Sequence, residues 1–210
     1  MFRRRFMIVL LVLLFLVAGL LSRFLLNRPP FDPVVVGKAE AGMWQAYYTG
    51  NQGRIAVYLV QLLRTQYGLT PLEAKRVGEQ FAAAAMAFKS ATGDYTAKVL
   101  PPLIDAYSRL GEATGSTFEP ARVAEAELAW WVARRAGGPD STEVVGRKIG
   151  ELYATLHGEE HPAFQEAGLL RARAAHLRDV GGKNADWSEI QAMLIQSYTA
   201  LARADSVGVP

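Results

Sequence analysis

The chain has 210 residues, 50% of them hydrophobic, 20% charged and 10% aromatic, and it contains no cysteine. That length suits about one compact domain, the composition is too apolar for a disordered chain, and the missing cysteine excludes a disulfide scaffold or a thiolate-ligated metal centre. Residues 1 to 28 hold five arginines and no acid, so the other 182 residues carry 18 basic against 20 acidic side chains and the body stands at −2, which gives no basic face for nucleic acid.

A basic tail, residues 1–5 with Arg3, Arg4 and Arg5, precedes an apolar run from Phe6 to Leu21 that Ser22 and Arg23 close and Phe24 to Leu26 extend. As a helix, residues 6–26 span roughly 30 Å, the thickness of a bilayer core, with Arg23 able to snorkel from its end. A single-pass anchor is expected. A cleaved signal peptide is the competing reading, with Val17 and Gly19 at the small-residue positions of a cleavage site. The short basic tail places the N-terminus in the cytoplasm and the following domain outside it. Arginine outnumbers lysine 17 to 6, a composition that fits a GC-rich bacterium and hence an inner-membrane protein with a periplasmic domain. Residues 27–38, with Pro29, Pro30 and Pro33, read as a stiff proline-rich tether.

From 39 to 205 apolar residues recur at three and four, which predicts an all-α domain of about seven or eight helices, followed by a flexible tail at 206–210. The expected helices are 39–49, 52–67, 71–91, 97–113, 119–136, 141–157, 162–179 and 187–204, with Pro101 and Pro102 bending or starting the fourth. Glycines at 68, 93, 115, 137–138, 158 and 181–182 supply the stops. Thr70 with Glu73, Asp140 with Glu143 and Asp186 with Glu189 have capping-box spacing, and Pro71, Pro120 and Pro162 suit the first helical position. Gly93, Gly137 and Gly181 are 44 residues apart, and Tyr-x-x-Leu recurs at Tyr107, Tyr153 and Tyr198, with a looser relative from Tyr58 to Leu62. A repeated helical hairpin is expected, stacked as a short α-solenoid or a bundle.

The catalytic motifs are missing. His157-Gly158-Glu159-Glu160-His161 places two imidazoles four apart, yet Gly158 and Pro162 break the helical turn that a His-Glu-x-x-His zinc site needs. There is no Glu-x-x-His pair, phosphate-binding glycine loop or nucleophile elbow, so no catalytic, cofactor or metal residue is assigned. Glu127 is the unusual residue: its helical neighbours Val123, Ala124, Trp130 and Trp131 are all apolar. A buried carboxylate needs a partner, and Arg171 or Arg173, each also set among apolar neighbours, is expected to supply a structural ion pair. Trp44, Tyr47, Tyr48, Trp130 and Trp131 form the candidate partner surface.

The segments Trp44-Gln45-Ala46-Tyr47-Tyr48, Glu127 to Arg135 and Leu169 to Ala175 resemble those of an uncharacterised group of bacterial membrane-anchored helical proteins, over most of residues 40–203. The resemblance implies no activity and carries over no functional residue. The hairpins resemble tetratricopeptide repeats in kind only, since their interval exceeds 34 residues. With no catalytic site legible, the expected role is a non-enzymatic adaptor, assembly factor or accessory subunit for other envelope proteins. The alternative is an enzyme or ligand-binding domain with an inter-helix pocket near Glu127 and Trp130/Trp131.

Overall fold

Helix ends in this chain are written in cap chemistry that repeats every second helix. The computed structural model describes residues 25–205, with 14, 15, 17, 19 and 21–23 before them. The eight helices of the body are α1 (Pro33–Tyr48), α2 (Gln52–Tyr67), α3 (Pro71–Ser90), α4 (Tyr95–Thr114), α5 (Pro120–Ala136), α6 (Ser141–His157), α7 (Pro162–Gly181) and α8 (Trp187–Asp205). Among the described residues there is no strand. Each odd helix begins with proline at its first position, and α2, α4 and α6 have Asn51, Asp94 and Asp140 at the N-cap. Thr70 and Glu73 close a full capping box, and Asp186 accepts from the amides of Ser188 and Glu189. Asp140 departs from expectation, because its side chain makes no cap hydrogen bond. Gly68, Gly115 and Gly158 end α2, α4 and α6 in the left-handed conformation that only glycine adopts freely.

The first helix starts earlier than the sequence pattern predicts. Residues 33–38, assigned to the tether, are the first turns of α1, opened by Asp32, whose carboxylate accepts from the amides of Val34 and Val35. What remains of the tether is docked. Arg28 donates to the carbonyls of Gly68 and Ala113 and to Glu73 Oε1 (2.6 Å), and Arg64 donates to the carbonyl of Asn27. The predicted anchor lies largely outside the described residues. Among those described, no helix is long and apolar enough to cross a membrane, so the structure gives the anchor no support. The basic tail, residues 1–5, and residues 206–210 also lie outside them.

Connections of three to five residues make successive helices antiparallel. Each helix packs on its two chain neighbours, and α1 packs on α8. The result is a closed ring of four hairpins. In a stacked solenoid, second neighbours would also share a seam; here the last helix meets the first instead. Close seams rest on glycine. A Cβ on Gly168 would lie 2.2 Å from the carbonyl oxygen of Gly146, and one on Gly37 would lie 2.8 Å from the backbone of Ile195, so α6–α7 and α8–α1 approach backbone to backbone. Between α2 and α3 the helices meet where Gly78 faces Leu59 and Leu63. Farther along α3, Ala82 and Ala85 are exposed, and this is the least extensively packed seam between neighbouring helices.

All residues of both buried clusters fall between Val36 and Ala204, so a fragment from Asn27 to Pro210 carries the whole core. In that fragment Gly168→Ala is expected to lower stability by about 2 kcal/mol or more, because backbone must move to admit one methyl. Gly53→Ala, whose methyl would meet only Asn51 Oδ1 at an ordinary 3.8 Å, should raise stability by a few tenths of a kcal/mol through helix propensity. Urea melts check the pair, and equal stability of Gly168→Ala and parent would refute the close crossing.

Candidate functional site

Eight helices in a ring leave a centre too wide for alanine and leucine to fill, and long amphipathic side chains reach into it. The repeated tyrosines Tyr107, Tyr153 and Tyr198 are all buried, one each from α4, α6 and α8, so Tyr-x-x-Leu is the inward face of the even helices. The odd helices answer with charge. Glu40 of α1 is wholly buried and binds Arg171 of α7, whose Nε (2.8 Å) and Nη2 (2.6 Å) both donate to Glu40 Oε1, while Tyr198 Oη donates to Oε2 at 2.7 Å. Glu127 of α5, 8% exposed, accepts from Tyr107 Oη at 3.0 Å and from Trp131 Nε1 at 2.8 Å.

The expected ion pair is therefore corrected. Glu127 is buried as predicted, but neutral donors hold it, and the guanidinium of Arg171 belongs to Glu40. Arg173 is exposed on the outer side of α7 and takes no part. His157 is the last residue of α6 and a loop separates it from His161, which caps α7 by accepting from the Ala163 amide; both rings pack against Phe164. No group of residues that could hold a metal ion occurs among the described residues.

Above this polar floor lies a cavity of about 580 Å³, within the range that holds a drug-sized ligand. α2 and α3 line it with apolar side chains from Ile55 to Leu63 and from Phe81 to Ala85, and α5 lines it with Glu127, Trp130 and Trp131. Tyr67 and Tyr153 separate it from a second space of about 90 Å³ toward the opposite end of the ring. The mouth is built by the C-terminal ends of the odd helices: Tyr47 and Tyr48, Phe88 and Lys89, Arg134 and Arg135, and Asp179. Of the aromatic residues expected to form a partner surface, Trp44, Tyr47, Tyr48, Trp130 and Trp131 all line this one cavity, and Tyr47 (52%) and Tyr48 (41%) are the exposed ones. Trp130 Nε1 is buried with no hydrogen-bond partner among the described residues, and Arg171 lies 5.2 Å from its ring.

Burial raises the pKa of Tyr67, Tyr107, Tyr153 and Tyr198, with added carboxylate repulsion. Arg171 would be lowered by burial, yet Glu40 outweighs this and holds it well above its ordinary value. The tyrosines thus stay protonated, Tyr107 and Tyr198 as donors to the two carboxylates, and the guanidinium stays charged throughout the physiological range. The floor is a fixed hydrogen-bond network. Set against protein-family models, curated proteins and solved structures, the chain matches none of them.

Glu40→Ala in the Asn27–Pro210 fragment should cost about 3 to 5 kcal/mol, since it leaves the Arg171 charge buried and unpaired; Glu40→Leu combined with Arg171→Leu should recover most of that loss. Urea denaturation measures both, and an alanine variant as stable as the parent contradicts the geometry.

A second expectation concerns alkaline pH. Folded tyrosine pKa values above the unfolded value of about 10 mean that the native state holds protons the unfolded state has released. Their stabilisation is complete below about pH 10 and is lost as pH rises, by about 1.4 kcal/mol per pH unit for each such tyrosine. Absorbance at 295 nm followed with circular dichroism should show four of the eight tyrosines ionising together with helix loss; their ionisation within an intact helical fold would disprove it.

Proposed function

We propose that this chain is a small-molecule-binding domain tethered to a bacterial inner membrane by residues 6–26, with its ring in the periplasm and its central cavity as the binding site. The observation that carries the reading is the cavity itself: about 580 Å³, walled by aliphatic and aromatic side chains and floored by converging ionisable groups. A pocket of this size and lining, with a few fixed polar groups, is what a ligand site requires. The anchor rests on the unbroken apolar run of the sequence. Glu127 has two of its roughly four acceptor positions occupied and can take a hydroxyl or amine from a ligand. An adaptor role for other envelope proteins draws on the apolar side chains left in water, Tyr47, Val57 (66%) and Met86 (73%), and is compatible with a domain that passes its ligand to a partner.

Intrinsic fluorescence tests the reading, because Trp44, Trp130 and Trp131 line the cavity and Trp187 does not. Full-length protein in phosphatidylcholine vesicles should show saturable quenching by the neutral probe 11-bromoundecanol. Ala85→Phe, at an exposed lining position, should weaken it at least about tenfold with the far-ultraviolet dichroism unchanged. Quenching that rises linearly and equally in both proteins is bilayer partitioning, and that result rejects the cavity as a site.

A further inference from the structure

The two ends of the cavity differ in charge, and the difference selects a ligand. Along the α2–α3 wall the lining side chains from Ile55 to Leu63 and from Phe81 to Ala85 are apolar, with Gln66 and Tyr67 beyond them toward the floor. At the mouth stand three cations, Lys89, Arg134 and Arg135, and one anion, Asp179. Asp179 is already committed, with both carboxylate oxygens 3.2 Å from Arg134 Nη2. Among the described residues no carboxylate pairs with Lys89 or Arg135. Arg135 is nevertheless fixed: its guanidinium lies 3.6 Å from the Phe88 ring centre, and Nη1 donates to the Ala91 carbonyl at 3.0 Å and to Tyr95 Oη at 3.4 Å. Among the described residues its Nε and Nη2 donors have no acceptor, and they are left for another in the fork geometry that matches a carboxylate or phosphate. Lys89 is exposed, with Nζ 6.0 Å from the Tyr47 ring. A rim of net +2 on a body of −2 concentrates anions where it lies.

Deep in the cavity the sign reverses. Glu127 and Arg171 both line it, and with the Arg171 charge neutralised by Glu40 the carboxylate of Glu127 is left. An anion driven to the floor meets Glu127; an anion left at the mouth meets Lys89 and Arg135. Resting on the cavity being a ligand site, we propose that it takes a single-chain anionic amphiphile, tail first, with a carboxylate or phosphate head held between Lys89 and Arg135. The alkyl chain lies along the apolar wall toward Trp130 and Trp131.

The test uses full-length protein in phosphatidylcholine vesicles and two quenchers that differ in the head alone, 11-bromoundecanoate and 11-bromoundecanol. The acid should quench saturably with an affinity at least about tenfold higher than the alcohol. Lys89→Glu should weaken the acid about threefold or more, and Lys89→Glu with Arg135→Glu should erase the preference while alcohol quenching persists. Persistence of alcohol quenching shows that the variant is folded. Dodecyl phosphate displacing the quencher more tightly than dodecanoate assigns the head to phosphate, and the reverse order assigns it to carboxylate. Equal affinity for acid and alcohol, or a preference unmoved by Lys89→Glu, overturns the anionic head and leaves the cavity standing. Absence of saturable quenching by either probe fails the cavity reading instead.

Discussion

Closure of the ring between its first and last helices is the constraint on which the rest depends. Glu40 and Tyr198 are 158 residues apart in sequence and 2.7 Å apart in space, and the loop entropy of that contact must be met before the interior exists. Three features act together at the seam. Gly37 lets α1 approach the backbone of α8 at Ile195; Ala41, Ala174, Ile190 and Leu194 bury a small apolar cluster there; and Glu40 joins Arg171 and Tyr198. The apolar cluster supplies the driving force. The ionic group sets the register, because a buried guanidinium displaced by one helical turn would lose the carboxylate it is hydrogen-bonded to and the several kcal/mol that go with it.

Once closed, the ring determines what its interior can be. A bundle of four helices fills its axis with apolar side chains, whereas a ring of eight holds its axis open unless large residues bridge it. Here they bridge it at one end. Tyr107, Tyr153 and Tyr198 come from the C-terminal halves of even helices, which run back toward the connector, so their rings and hydroxyls gather at that end. The buried hydroxyls of Tyr198 and Tyr107 need acceptors, and Glu40 and Glu127 provide them; the carboxylates in turn need donors, and Arg171 and Trp131 complete the set. At the other end Ala82 and Ala85 leave the space unfilled. Floor and cavity follow from one distribution of large and small side chains along the helices.

Much of this was legible in the sequence. Helix ends are local chemistry, so proline, glycine and cap residues placed most boundaries within two residues of those observed. The Tyr-x-x-Leu repeat marked the inward face, although nothing in the repeat says whether hairpins stack or close on themselves; that is decided by Gly37 meeting Ile195, a contact with no local signature. Glu127 betrayed its burial by apolar neighbours at three and four. Glu40 carries the same signature in Val36, Gly37, Met43 and Trp44, yet Pro33 had drawn the tether to residue 38 and removed half of that pattern from view. With Glu40 hidden, Arg171 had no visible acid but Glu127. The error in the pairing therefore descends from the error in one helix boundary, and the true cause is that proline at a helix start and proline in a linker look alike until the cap residue, Asp32, is counted.

The same boundary fixes where the cavity faces. Arg28 ties the connector to the end of the ring made by Gly68, Glu73 and Ala113, and α1 runs from there to Tyr47 and Tyr48 at the mouth, roughly 23 Å at 1.5 Å per residue. Residues 6–26, as the proposed anchor, enter at the connector end. The mouth then opens on the side of the ring away from the bilayer, and Trp44, Tyr47 and Tyr48 stand too far out to serve as an interfacial belt for that anchor. Their exposure has to be accounted for at the mouth, where Arg178 lies 3.3 Å from the centre of the Tyr48 ring and Arg134 reaches its hydroxyl. Aromatic faces held by arginines around an opening form a rigid, pre-ordered rim, which lowers the entropy lost when a ligand docks. Under the proposed anchor and ligand site, a domain held with its opening turned away from the bilayer would exchange ligand with the aqueous compartment or with a protein in it, and would not draw that ligand from the leaflet beneath.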